Sequence, residues 1–140
     1  MQDKLPLKIN HLQHAGIPVT DIKVSEHFYS RLGFRNVMQS GFTMDGNRGT
    51  CIMMQNGTVI IELYRLPDTF LAEIKSRNHG HIDHIAFDVD DIDATFTLMK
   101  EQGYQILEEA PVFLSFWKNG CKYFNILGPD GERLEFNQVL

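Results

Sequence analysis

The chain has 140 residues, 43% of them hydrophobic and 22% charged, with a net charge of −5. This is the composition of one compact globular domain and excludes an intrinsically disordered chain. No apolar run approaches the ~20 residues of a membrane span, and the acidic balance with no Lys/Arg stripe argues against nucleic acid as the main partner.

The opening stretch MQDKLPLKIN lacks the apolar segment and small-residue cleavage site of a secretory signal, so a cytoplasmic location is expected. Strands called from alternation and β-branched or aromatic content fall at about 11–20, 34–42, 48–55 and 58–65, with a helix over 21–33 that Asp21 can cap. Residues 66–80 form a linker with a helical turn around LAEIK. The second half repeats the order: strand 81–89, helix 91–102, then strands 104–110, 121–127 and 132–138, the last hairpin turning on Gly-Pro-Asp-Gly at 128–131. Cys51 and Cys121, away from any CxxC or Cys/His cluster, are expected as buried free thiols.

The two halves are copies of each other. An offset of 70 carries His14 to His84, Val19 to Val89, Asp21 to Asp91, Ile22 to Ile92, Gly33 to Gly103 and Cys51 to Cys121, while Phe34 meets Tyr104. VIIELYR aligns with ERLEFNQ only at an offset of 73, which a three-residue insertion in the second copy explains. Each helix ends at a glycine suited to its C-terminal cap. The expectation is an α+β fold of two tandem βαβββ modules in one domain over residues 1–140, module 1 at about 9–65 and module 2 at about 81–140.

Successive strand residues face opposite sides of a sheet. Ala15, Ile17 and Val19 form one set on the first strand, Ile85, Phe87 and Val89 on the fifth, Val59, Ile61 and Leu63 on the fourth, and Leu134 and Phe136 on the last. These apolar sets should pack under the helices. His14, Gly16 and Pro18, His84, Glu62 and Tyr64, and Arg133, Glu135 and Asn137 then share the other face. A single such His or Glu is ordinarily a solvated or hydrogen-bonded residue, but four at repeat-related positions on one face point to a site. Two imidazoles and two carboxylates suit a borderline divalent ion such as nickel, cobalt, manganese or zinc, with room for two more ligands. His11 and His81 have the opposite parity, His27 lies mid-helix and His79 in the linker, and all four are expected to be solvated.

Paired βαβββ modules with HAGIPVTD before FYSRLGF and HIAFDVDD before GPDGERLEF resemble the glyoxalase, bleomycin-resistance and extradiol-dioxygenase (vicinal oxygen chelate) superfamily, and glyoxalase I-like proteins within it. The resemblance implies an eight-stranded curved half-barrel, often dimeric, around one divalent metal ion held by His14, Glu62, His84 and Glu135. It also implies a small-molecule substrate bound through adjacent oxygens, and a lyase or isomerase in which a carboxylate removes a proton next to a carbonyl while the metal stabilises the enediolate. Glu135 is the expected base and Glu62 its symmetric alternative. Pro18 and Thr20 stand where glutathione-dependent members commonly carry an arginine, which argues against a thiol cofactor. Tyr64, Trp117, Lys118 and Arg133 are the expected substrate contacts, with Phe113, Phe116 and Tyr123 of VFLSFWKNGCKYF beside them at the funnel mouth. The alternatives of the same fold are an antibiotic-resistance protein, either a metal-free drug binder or a fosfomycin-type thiol transferase with three metal ligands, and an extradiol dioxygenase, whose bulkier form fits 140 residues poorly. Open sheet edges further suggest a homodimer.

Overall fold

The computed structural model describes residues 5–31, 33–77, 82–127 and 133–140. Module 1 runs β1 (Leu12–Pro18), α1 (Ile22–Arg31), β2 (Arg35–Met44), β3 (Asn47–Asn56) and β4 (Val59–Arg65). A 3-10 turn at Asp68–Phe70 and the short helix α2 (Leu71–Ser76) occupy the linker, where the LAEIK turn was expected. Module 2 continues with β5 (His84–Asp88), α3 (Ile92–Glu101), β6 (Val112–Leu114), β7 (Cys121–Leu127) and β8 (Arg133–Val139). No helix among the described residues is long and apolar enough to cross a membrane. The Gly-Pro-Asp-Gly turn, His79 and His81 lie outside the described residues.

All eight strands join one curved sheet in the order β2-β3-β4-β1-β5-β8-β7-β6. β1 pairs parallel with β4, and β5 parallel with β8, while the modules meet along an antiparallel β1–β5 seam. The curved, nearly barrel-like sheet and its helices form the eight-stranded fold that the resemblance implies.

Local chemistry fixes the helix ends. Asp21 Oδ1 accepts from the backbone N–H of Lys23 and Val24 at 3.0 and 3.1 Å, and Asp91 Oδ1 accepts from Ala94 N–H at 2.9 Å. At the other ends Gly33 (φ 91°) and Gly103 (φ 77°) take the left-handed conformation. Phe34 N–H then reaches Tyr29 O, and Tyr104 N–H reaches Met99 O, each at 3.1 Å, closing the last turns.

The predicted alternation places the core. Val19, Ile52, Met54, Ile61 and Leu63 pack under α1, and Val89, Ile92, Met99, Phe124, Ile126 and Phe136 under α3. A third cluster, Cys51, Met53, Tyr64, Phe116 and Cys121, fills part of the concave face, and both thiols are free and buried as expected.

Two expectations are corrected. Residues 104–110 do not form a strand: Ile106 makes a single bridge to Ile126, and β6 begins only at Val112. The Glu108 carboxylate takes the Asn125 N–H at 2.6 Å, occupying with a side chain the place of a ladder bond, and Pro111 has no N–H to donate. Cys121 is also not the counterpart of Cys51. Cys51 faces Tyr64 on β4, whereas Asn137, the equivalent of Tyr64 on β8, faces Tyr123. The second copy therefore gains residues in the irregular stretch before β6, ahead of β7, which an alignment of strands alone did not locate.

Candidate metal centre

The four central strands each contribute one ligand candidate: Glu62 from β4, His14 from β1, His84 from β5 and Glu135 from β8. Register explains how they meet. Glu62, Gly16 and His84 lie in one row across the sheet, and His14, Ala86 and Glu135 in the next. The middle residue of each row is small, so the flanking side chains lean together above it. A Cβ on Gly16 would lie 2.1 Å from His84 Cε1, so only glycine leaves room for that ring as it stands.

His14 Nε2 and His84 Nε2 are 3.1 Å apart. Glu135 approaches them at 3.9 and 3.2 Å, and Glu62 at 3.6 and 3.4 Å. His14 is 1% exposed and His84 and Glu135 each 7%, so this polar group is enclosed. All four come from one chain. The donor atoms of His14, His84 and Glu135 all lie within 4.8 Å of one another, and Glu62 approaches the same two imidazoles at comparable distances.

The neighbours of the imidazoles decide what the ring nitrogens offer. His14 Nδ1 meets Gln13 Oε1 at 3.1 Å, and Gln13 is held in that orientation because its Nε2 donates to Asp88 Oδ1 and Asn137 Oδ1, both at 3.1 Å. His84 Nδ1 meets Asp83 Oδ2 at 3.1 Å, and Asp83 is itself ion-paired with Arg133. Both Nδ1 atoms therefore donate, which leaves two Nε2 lone pairs directed at one point. Burial, then the neighbouring His84, holds His14 down to about 3, so it is neutral at physiological pH. Burial pushes the Glu62 carboxyl up to about 7 against the attraction of His84, and raises Glu135 as well. Lone pairs and carboxylates facing one another at this depth are unfavourable without a cation. Donor atoms bonded at about 2.1 Å to one six-coordinate ion lie about 3 Å from their neighbours, close to the separations here. The donor set fits one divalent cation.

Beside this group opens a cavity of about 450 Å³, within the range of small-molecule sites. The β2–β3 hairpin, turning on Asp45 and Gly46 with φ of 49° and 75°, supplies one wall through Phe42 to Asp45. Tyr64 lines the cavity as expected. Arg133 lines it too, but the ion pair with Asp83 makes it a support for His84. Trp117 and Lys118 are not among the lining residues. β6 is three residues long, and Trp117 (φ 64°) turns back against the cluster around Phe116 while Lys118 is exposed; of the aromatics expected beside them, Phe116 and Tyr123 line the cavity and Phe113 is exposed. His11 and His27 are exposed, as their parity and position implied.

Sequence reading missed Gln13 and Asp83, although they occupy equivalent places, each just before a ligand histidine and bonded to its Nδ1. The repeat itself carried that signal. It also missed Glu108 and Asn125 on the module 2 wall.

With this geometry in view the relatives are informative. The uncharacterized protein YwbC of Bacillus subtilis (strain 168) is 32% identical over 137 residues, spanning 91% of this chain and 96% of its own. Among solved structures, hypothetical protein BH1468 from Bacillus halodurans C-125 superposes with a TM-score of 0.72 at 25% identity, over 93% of this chain and 94% of that one. Methylmalonyl-CoA epimerase from Mycobacterium tuberculosis has the same TM-score at 22% identity, over 100% and 93%. Residues 8–136 match the family model described as the Glyoxalase/Bleomycin resistance protein/Dioxygenase superfamily, and the chain belongs to that superfamily.

Proposed function

We propose that the protein is a metal-dependent isomerase or epimerase that moves a proton at a carbon next to a carbonyl in a small molecule. The observation that carries this reading is the convergence of two imidazole lone pairs and two carboxylates on one point beside a cavity. His14, His84, Glu135 and Glu62 would hold nickel, cobalt, manganese or zinc, which when bound supplies Lewis-acid stabilisation of charge on a substrate oxygen. The glyoxalase I-type reaction is one member of this class, and the epimerisation named for the Mycobacterium tuberculosis structural neighbour is another.

The two carboxylates are unequally tied. Glu135 Oε1 accepts from Asn137 Nδ2 at 2.8 Å, whereas the partner donor to Glu62 is the weak Cys51 thiol. The Glu62 side chain is also slightly the more accessible, 12% exposed against 9% for Glu135. These differences favour Glu62 as the base and Glu135 as the fixed ligand, the reverse of the order expected from sequence. The substrate C–H proton passes to a Glu62 oxygen, the bonding pair moves to the carbonyl oxygen, and the proton returns to the neighbouring carbon or to the opposite face.

A second reading rests on the group of three, His14, His84 and Glu135, since the fosfomycin-type thiol transferase that the resemblance offers uses three metal ligands and would leave Glu62 surplus. The test is a screen of metal-loaded protein in deuterated solvent against hemithioacetals, 2-oxo acyl thioesters and sugar phosphates, and against fosfomycin with thiols. Deuterium entry at a carbon, reduced ~10²-fold or more in Glu62→Gln with metal still bound, is expected. Thiol addition to fosfomycin with no carbon exchange anywhere would establish the second reading. Sedimentation of the same material tests the expected homodimer, for which β2 and β6 are the open sheet edges.

A further inference from the structure

The rows of the sheet that carry the two glutamates continue differently in the two modules. Glu62 on β4 faces Met53 on β3, whereas Glu135 on β8 faces Asn125 on β7. The repeat makes these two positions equivalent, so the amide is a feature of module 2 alone. Asn125 is 5% exposed and lines the cavity together with Glu108.

Glu108 grips this residue twice. Its Oε2 accepts the Asn125 backbone N–H at 2.6 Å and its Oε1 accepts from Asn125 Nδ2 at 2.7 Å. A carboxylate can only accept, so Nδ2 must be the end that meets it and Oδ1 the end that turns away. Oδ1 has no hydrogen-bond partner among the described residues although it is buried, and the same holds for the Tyr64 hydroxyl across the cavity. Buried acceptors are rarely left unpaired, because their lost hydration is not replaced. The Tyr64 hydroxyl can donate or accept and discriminates nothing by itself. Asn125 Oδ1, fixed by Glu108, can only accept.

We propose that Glu108 is a specificity-determining positioning residue, holding Asn125 with its carbonyl oxygen presented to the substrate, so that the site selects molecules carrying a hydroxyl or N–H donor on the β7 side of the metal-chelating oxygens. The inference rests on the metal-centre reading above and names the substrate class for it.

Replacing Glu108 by Gln tests the device directly. Gln offers one acceptor, which the Asn125 backbone N–H takes, and one donor, which pairs with Oδ1 and turns Nδ2 toward the cavity. Three hydroxamic acids with the same chelating head serve as probes of cobalt-loaded protein: 4-hydroxybutanohydroxamic acid with a donor at its end, pentanohydroxamic acid with neither donor nor acceptor, and 4-oxopentanohydroxamic acid with an acceptor only. Titrations followed by cobalt absorption should show the hydroxyl probe binding about tenfold more tightly than the pentano probe in the parent, the scale of one neutral hydrogen bond. The keto probe should gain nothing. In Glu108→Gln the keto probe should overtake the pentano probe by a similar factor, and in Asn125→Leu all three should bind alike. A flat profile in the parent, a hydroxyl preference that survives Asn125→Leu, or a Glu108→Gln protein that still ignores the keto group overturns the inference while leaving the metal centre standing. Failure to take up cobalt, or no spectral response to any hydroxamate, overturns the metal-centre reading and this inference with it.

Discussion

Replacing Gly16 by alanine probes the centre without altering any ligand. Gly16 is outside the left-handed region, so alanine suits its backbone and by itself would add ~0.4–1 kcal/mol of stability through the unfolded chain. The new Cβ, however, would lie 2.1 Å from His84 Cε1, 2.4 Å from Nδ1 and 2.6 Å from Nε2. Carbon atoms in contact sit at about 3.5 Å or more, so the ring must retreat by roughly 1 Å. Metal–ligand distances tolerate only about ±0.2 Å, and His84 would no longer hold its place. Disturbing the partner of a ligand alone costs about 10–100-fold in metal affinity. Moving the ligand itself belongs at the upper end, ~100-fold, equivalent to ~2.7 kcal/mol of lost metal-linked stabilisation. At roughly 3–4 °C per kcal/mol for a domain of this size, the metal-induced rise in Tm should shrink by about 10 °C. Overpacking costs of ~1–3 kcal/mol are relieved by the cavity beside the ring, so the metal-free Tm should move only a few degrees. Scanning calorimetry with and without cobalt, with titration calorimetry for affinity, measures both. A Gly16→Ala protein with the parental affinity and the parental metal-induced shift refutes this account of the row.

Metal affinity should depend on pH in one direction only. His14, held near 3, gives up no proton above about pH 5, whereas Glu62, raised to about 7, carries one at lower pH that the cation must displace. Apparent affinity should therefore fall about tenfold per unit as pH drops below 7 and level off above it, and Glu62→Gln should flatten the profile in calorimetric titrations. Asp83→Ala frees both the His84 ring and Arg133, and should weaken metal binding by about 10–100-fold with little change in metal-free Tm. Asp91→Ala removes the α3 cap far from the centre, and should cost about 1 kcal/mol by denaturant unfolding while leaving metal affinity at the parental value.

The candidate metal centre was legible in the sequence because it depends on two strict periodicities. The strand period of two decides the face, and the repeat decides which strands are equivalent, so His14 and His84, Glu62 and Glu135 converge before any loop is placed. What escaped depends on side chains replacing backbone. Residues 104–110 alternate like a strand, yet Glu108 takes the Asn125 N–H and Pro111 has none to give, so the ladder stops. Trp117 and Lys118 stand in an aromatic segment whose composition carries no sign that its backbone turns left-handed at Trp117. The unequal anchoring of the two glutamates was equally hidden, since it rests on Asn137 donating to one and only a thiol to the other.

The division of labour within the sheet bears on how such a protein can change. The four middle strands carry the ligand candidates, whereas much of the cavity wall comes from the outer strands β2, β3, β6 and β7 and the irregular stretch before β6. Those outer hairpins can be lengthened, swapped or recoloured without touching the rows on which His14, Glu62, His84 and Glu135 sit. Lineages built on this plan can therefore exchange substrates while inheriting their reactive centre intact, with novelty accumulating at the margins of the sheet and constraint at its middle.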